Sequence, residues 1–252
     1  MKYQKARDFC QPADLSLVDR LLTGISPWHC VLCSDPAAGM DLCRSCLEDL
    51  PWLGHACQGC GIPLPDASLR LCGSCLGGSH GEGGALNTFV IALAYEYPVA
   101  QMLAALKFRR ELSYARVLGE LLSMRLREAL LKEGIHLPDV LLPVPLHPVR
   151  QLQRTFNQSE LIAEHVARII RLPVNRHILR RVRNTPAQMG LRRKARLRNL
   201  QGSFAVSGDL AGMSVALLDD VVTTCATVRE IIRVLQHAGA AEVQVWAVAR
   251  TV

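Results

Sequence analysis

Two patterns of apolar residues alternate along most of this chain. Ser214 to Leu218 and Glu242 to Ala249 are short, nearly continuous apolar runs, the mark of strands buried on both faces of a parallel sheet. Asp139 to Val144 is a third such run, and Ile178 to Val182 reads as a further strand. Asn87 to Tyr97, dense in β-formers, reads as a strand or hairpin. Residues 99–108 and 112–132 carry helical spacing. Asn157 offers an N-cap, with Glu160 three residues on and apolar Leu161, Ile162, Val166, Ile169 and Ile170 behind it. A last helix spans Val228 to Ala238, apolar at 228, 231, 232, 235 and 238, and stops at Gly239. Strands alternating with helices predict βαβ units, hence an α/β fold with a mostly parallel sheet and flanking helices.

Upstream, cysteines replace this pattern. Eight of the ten fall in four Cys-x-x-Cys pairs: Cys30/Cys33, Cys43/Cys46, Cys57/Cys60 and Cys72/Cys75, separated by nine, ten and eleven residues. Each pair can form a knuckle presenting two thiolates, and two knuckles complete a tetrahedral zinc site closed to substrate. Disulfides or an iron–sulfur cluster would use the same residues, but Met1 to Asp8 lacks the apolar core of a secretory signal, so structural zinc is favoured. Pairing in chain order groups Cys30, Cys33, Cys43 and Cys46 on one ion, and Cys57, Cys60, Cys72 and Cys75 on another. The spacers are alike in length, so a cross-braced scheme is the alternative. Few large apolar residues lie in this segment, so it is expected to fold only with metal, and chelation to spare the rest. Gly77 to Gly84 is glycine-rich and marks a boundary. The expected organisation is a tail over 1–27, a double zinc ribbon over 28–78 and an α/β domain over 85–252.

Charge adds a partner class. The net charge is +7 over 252 residues, half of them hydrophobic, which points to an anionic partner and a sizeable core. Between Arg176 and Arg198 lie eight arginines and Lys194 but no acid, a polyanion or pyrophosphate surface unless it is a solvated face. Apolar runs are far shorter than the roughly 20 residues a membrane span needs. No membrane insertion and a cytoplasmic location are therefore expected.

The chemically richest stretch is Val215 to Thr227, where an apolar strand meets Asp219 and Asp220, then Val221, Val222 and a turn of Thr223, Thr224, Cys225, Ala226 and Thr227. A loop entering a helix offers free amides and the positive dipole end to a phosphate. Two carboxylates beside it suit sugar hydroxyls. The run resembles the 5-phosphoribosyl-1-pyrophosphate (PRPP) signature of type I phosphoribosyltransferases. That resemblance implies that Asp219 and Asp220 hold the ribose 2′- and 3′-hydroxyls while residues 223–227 wrap the 5′-phosphate. Cys225 replaces the usual glycine, which in such loops permits positive φ or close approach.

Further motifs narrow the family. Pro143-Val144-Pro145-Leu146, Arg154-Thr155-Phe156-Asn157-Gln158-Ser159, Thr185-Pro186-Ala187-Gln188 with Arg196, Asn199 and Phe204, and the four cysteine knuckles together resemble the ComF/GntX family. Its members are competence or DNA-utilisation proteins with a zinc ribbon and a type I phosphoribosyltransferase-like domain. Thr155 stands where that pattern has Gly. The resemblance implies a pyrophosphate loop between Pro143 and Asn157, with Arg150 and Arg154 as charge donors. A mobile arginine-rich loop over 183–198 would close with Arg192 and Arg193. Lys107 and Arg109 are candidates for the same anionic pocket, or for plain surface. Magnesium is implied with PRPP if the site is active, and no acceptor is legible. Single-stranded DNA and protein partners of DNA uptake are the alternative partners, with the fold serving as a non-catalytic binding or adaptor module. Aromatic residues make up only 5% of the chain, which argues against base stacking and leaves electrostatic DNA binding.

Overall fold

The computed structural model describes residues 28–77, 88–147, 155–183 and 200–252. Two short helices, α1 (Arg44–Glu48) and α2 (Gly73–Leu76), belong to the cysteine segment. Then follow β1 (Thr88–Ala94), α3 (Val99–Ala104) with a π-helical turn over Ala105–Arg109, α4 (Ser113–Lys132) and β2 (Val140–Pro143). The chain continues through α5 (Gln158–Ile170), β3 (Leu179–Arg181), β4 (Phe204–Val206), β5 (Ser214–Val222), α6 (Ala226–His237) and β6 (Glu242–Arg250).

Four strands form one parallel sheet in the order β1-β6-β5-β2. Their side chains alternate between two cores. Val90, Ala92, Leu141, Ala216, Leu218, Trp246 and Val248 face α4 and α5, whereas Ile91, Leu142, Val215, Leu217, Val243 and Val245 face α6. Burial on both faces explains why these strands read as continuous apolar runs. The amphipathic α6 buries Val228, Ile231, Ile232 and Leu235, four of its five expected positions, and the fifth, Ala238, packs partly buried against the same core. β3 and β4 pair antiparallel as a separate small sheet.

Two differences from the sequence reading matter for the site. β5 runs to Val222 rather than Leu218, because Asp219 and Val221 keep pairing with Ala247 and Ala249 of β6. The helix expected over 99–108 turns π-helical at Ala105, and its cap Arg110 is left-handed (φ 61°). π-helical turns concentrate at functional sites, and this one carries Lys107.

The cysteine segment straddles the edge of the sheet. Its first half contributes Cys30, Met40, Leu42, Leu47 and Leu50 to the α4 core; its second half contributes Leu53, Cys57 and Cys60 to the α6 core. The chain between them runs along β1, where Leu53 donates its amide to Ala92, Ala94 to Pro51 and Phe89 to Gln58. The β1 edge is thereby covered, as exposed strand edges usually must be.

Candidate functional site

The cysteines come together in chain order. The sulfurs of Cys30, Cys33, Cys43 and Cys46 lie within 4.8 Å of one another, and so do those of Cys57, Cys60, Cys72 and Cys75. The four knuckles share one turn: Ser34 donates its amide to Cys30 O (2.8 Å), Leu47 to Cys43 O (3.0 Å), Gly61 to Cys57 O (2.7 Å) and Leu76 to Cys72 O (3.0 Å). Amides are also aimed at sulfur. Cys72 N donates to Cys57 Sγ at 3.2 Å. At Cys30, burial works against the thiolate, but backbone hydrogen bonds from Cys43, Cys33 and Leu32 outweigh it and bring its pKa down to about 6. Four convergent soft donors with amide support fit zinc in a closed tetrahedral site.

The first cluster is held to α4 through Asp41, which pairs with Arg116, while the Arg116 guanidinium lies 4.7 Å from the Trp28 ring centroid. Glu120 lies beside this pair, and burial pushes its carboxyl up to about 7. The second cluster lies against the sheet. Gly61 adopts φ +69°, and a Cβ there would come within 2.2 Å of Ile91, so glycine is needed both for the turn and for the approach.

Asp219 and Asp220 project near the C-terminal ends of the parallel strands, where open α/β sheets form ligand crevices. Asp219 Oδ1 accepts from the Ser159 hydroxyl (3.3 Å) and from the Asp220 amide (2.9 Å). Burial and then the charge of Asp220 push Asp219 up to about 7, against the hydrogen bonds and Lys107. Asp220 Oδ1 accepts from the Val221 amide at 2.8 Å, and its Oδ2 pairs with Lys107. Lys107 is thus brought to the acids instead of standing free for an anion. Arg109 sits outside, with Glu111 at 3.8 Å and both largely exposed.

Residues 223–227 form the turn from β5 into α6. Cys225 is the N-cap of α6 with φ 60° and ψ 4°, the left-handed conformation a glycine would take without strain. Its side chain is buried, and Sγ reaches Cys60 O at 3.6 Å. Ala226 is buried, Thr224 and Thr227 are partly exposed, and Thr223 is exposed. Thr155, the other departure from glycine, is also left-handed (φ 69°). Asn157 serves as a cap: its Oδ1 accepts from Ser159 N (3.2 Å) and its Nδ2 donates to Val144 O (3.0 Å). Glu160 does not close a capping box but pairs with Arg176 at 2.6 Å. Arg176 also meets Glu164, so the first member of the acid-free run is neutralised from α5. Arg150, Arg154, Arg192 and Arg193 lie outside the described residues. Two participants are not among the predicted site residues, although Ser159 lies in the family motif. Ser159 looks like an ordinary first-turn residue, and Arg250 looks like a basic residue ending a strand. A cavity of about 460 Å³ between Trp52, Phe89, Met124 and Lys132 includes none of the candidate residues.

Fold and site define a class, a double zinc ribbon joined to a parallel α/β sheet with paired acids at its strand ends. Residues 21–76 match the double zinc ribbon domain family. Competence protein F of Haemophilus influenzae is 33% identical over 215 residues, covering 83% of this chain and 90% of that protein. DNA utilization protein YhgH of Salmonella typhimurium is 34% identical over 227 residues, covering 89% and 98%. The chain belongs to the family of competence protein F and DNA utilization protein YhgH. Its sheet resembles those of solved phosphoribosyltransferases, loosely. Glutamine PRPP amidotransferase from B. subtilis gives a TM-score of 0.34 at 22% identity, over 52% of this chain and 25% of that one. Purine phosphoribosyltransferase from Pyrococcus horikoshii gives 0.32 at 18%, over 64% and 77%.

Proposed function

We propose that the crevice at the ends of β5 and β6 binds a ribose 5-phosphate group, presented as PRPP with magnesium. The observation that carries this reading is the adjacency of two carboxylates, Asp219 and Asp220, to a left-handed turn that opens directly into the N-terminus of the twelve-residue α6. The carboxylates would accept the ribose hydroxyls. The first amides of α6, which have no intrahelical acceptor, would receive the phosphate together with the Thr223, Thr224 and Thr227 hydroxyls. Lys107 balances the charge of Asp220 until ligand arrives. Carboxylate oxygens suit magnesium, which when bound would neutralise the pyrophosphate. Arg150, Arg154, Arg192 and Arg193 are proposed to meet that pyrophosphate. The family relationship supports a role in competence or DNA utilisation.

Titration calorimetry of the zinc-loaded protein with PRPP and magnesium tests this. Binding is expected in the wild type and lost, by about a hundredfold or more, in the double variant Asp219→Asn/Asp220→Asn, which still folds cooperatively. Unchanged affinity in that variant sinks the assignment. The net charge of +7 favours a second reading, electrostatic binding of single-stranded DNA. The same calorimetry with an oligonucleotide separates the two, because DNA binding would survive both substitutions and weaken steeply with salt.

A further inference from the structure

The two halves of the molecule meet at the candidate site through one buried cation. Arg250, the last residue of β6, is buried, and its side-chain hydrogen bonds among the described residues go to neutral oxygens. Nε donates to Cys60 O at 3.1 Å. Nη1 donates to Val222 O (3.1 Å), to Thr223 O, and to both Thr251 O (2.9 Å) and Thr251 Oγ1 (3.1 Å). The same Cys60 carbonyl accepts the thiol of Cys225. One carbonyl on the second cysteine cluster therefore holds both the cation that clamps the entry of the phosphate loop and the left-handed residue at its turn.

We infer that Arg250 and the Cys60 carbonyl position the 223–227 loop, so that metal in the second cysteine cluster sets the loop's affinity for a ribose phosphate. This consequence rests on the ribose-phosphate reading of the loop; the positioning itself does not. Cys60 is a ligand of that cluster, and its carbonyl direction is fixed by the knuckle turn, closed by the Gly61 amide on Cys57 O. Loss of the metal frees the turn. A guanidinium buried without an acid depends on its carbonyl acceptors, and losing one leaves a buried donor unsatisfied. Arg250 must then shift, and Val222 and Thr223 lose the clamp that holds the loop entry. Cys225 is strained and keeps its φ only while its surroundings enforce it. The first cluster packs on the other face of the sheet, and none of its hydrogen bonds among the described residues reaches 219–227. Linkage makes the effect reciprocal: a phosphate ligand in the loop should slow metal loss from the second cluster alone.

Hydrogen–deuterium exchange on the full zinc-loaded chain tests the positioning, with the peptide spanning 221–227 as reporter. Graded chelation that deprotects 57–75 should speed exchange in 221–227 by about tenfold, whereas Cys43→Ser, which empties the first cluster, should leave it unchanged. Because stripped protein is liable to unfold more widely, Arg250→Lys provides the second arm. With zinc content unaltered, it should deprotect the same peptide while 99–132 stays protected. Unchanged exchange at 221–227 in both arms overturns the inference, as does equal deprotection by Cys43→Ser. PRPP with magnesium, titrated into the same samples, tests the consequence. Equal affinity before and after emptying the second cluster overturns the coupling. No binding to the intact protein removes the ribose-phosphate reading and with it the affinity claim, while the exchange result still decides the positioning.

Discussion

Asp219 is where the site meets its surroundings most sharply. Burial and the neighbouring Asp220 both oppose its ionisation, and its pKa rises from 3.8 to about 7. Between those values the folded protein holds a proton that the unfolded chain has released, so stability falls as pH rises through that window and stays lower above it. Asp219→Asn removes the titration and retains an acceptor for the Asp220 amide. The variant should be more stable than wild type by roughly 2–4 kcal/mol at about pH 8, and no more stable at about pH 3. Chemical denaturation at the two pH values checks this, and a gain that does not change with pH would contradict it. Both acids were legible in the sequence because an apolar run ending in paired carboxylates is rare. Arg250 was not, since nothing local marks it: its acceptors Cys60, Val222 and Thr223 are assembled only when β6 lies between β1 and β5.

At the level of elements, the crossing of α4 and α5 fixes where Ser159 and the α5 N-terminus sit against β5. The two helices come close at Gly119, where an added Cβ would lie 2.7 Å from His165 Cβ and 3.3 Å from Ile162 O. Alanine would normally gain up to about 1 kcal/mol over glycine in a helix. Here the contact is with the base of a side chain and with backbone, neither of which swings aside. Gly119→Ala should therefore destabilise by about 1–3 kcal/mol, read from denaturant midpoints. The long elements α4, α5, α6, β5 and β6 were readable from periodicity because each presents a full buried stripe or run. β3 falls inside the Ile178–Val182 run that reads as a strand, but β4 has three residues, too few for alternation to register, and their pairing joins Leu179 to Val206 across a long stretch of chain. The π-helical turn was invisible for another reason, since its apolar spacing continues that of α3. The four residues added to β5 include two acids, which a buried-strand pattern excludes, so the strand looked shorter than it is.

For the molecule as a whole, the cysteine segment and the sheet share their cores. Reading the segment as separable followed from its sparse apolar residues, but those few are placed on both sides of β1. Removing metal should therefore not melt a detached module. Calorimetry of zinc-loaded protein should show one main transition, and chelation should move that transition down by several degrees. A separate low-temperature transition that disappears on chelation, with the main one unmoved, would contradict this. No described helix is long and apolar enough to cross a membrane. The parallel pairing of β1 with β6 sets Thr88 opposite Gln244 and Ala94 opposite Arg250. On a ribosome, the knuckles and then β1 emerge long before β6 exists. Metal can close those knuckles early, but the strand that follows them waits with one side unpartnered until β6 is synthesised. Closing so long a loop is entropically slow. The molecule therefore closes its sheet and supplies the Arg250 clamp in the same late step, after the acids and the 223–227 turn have already been made.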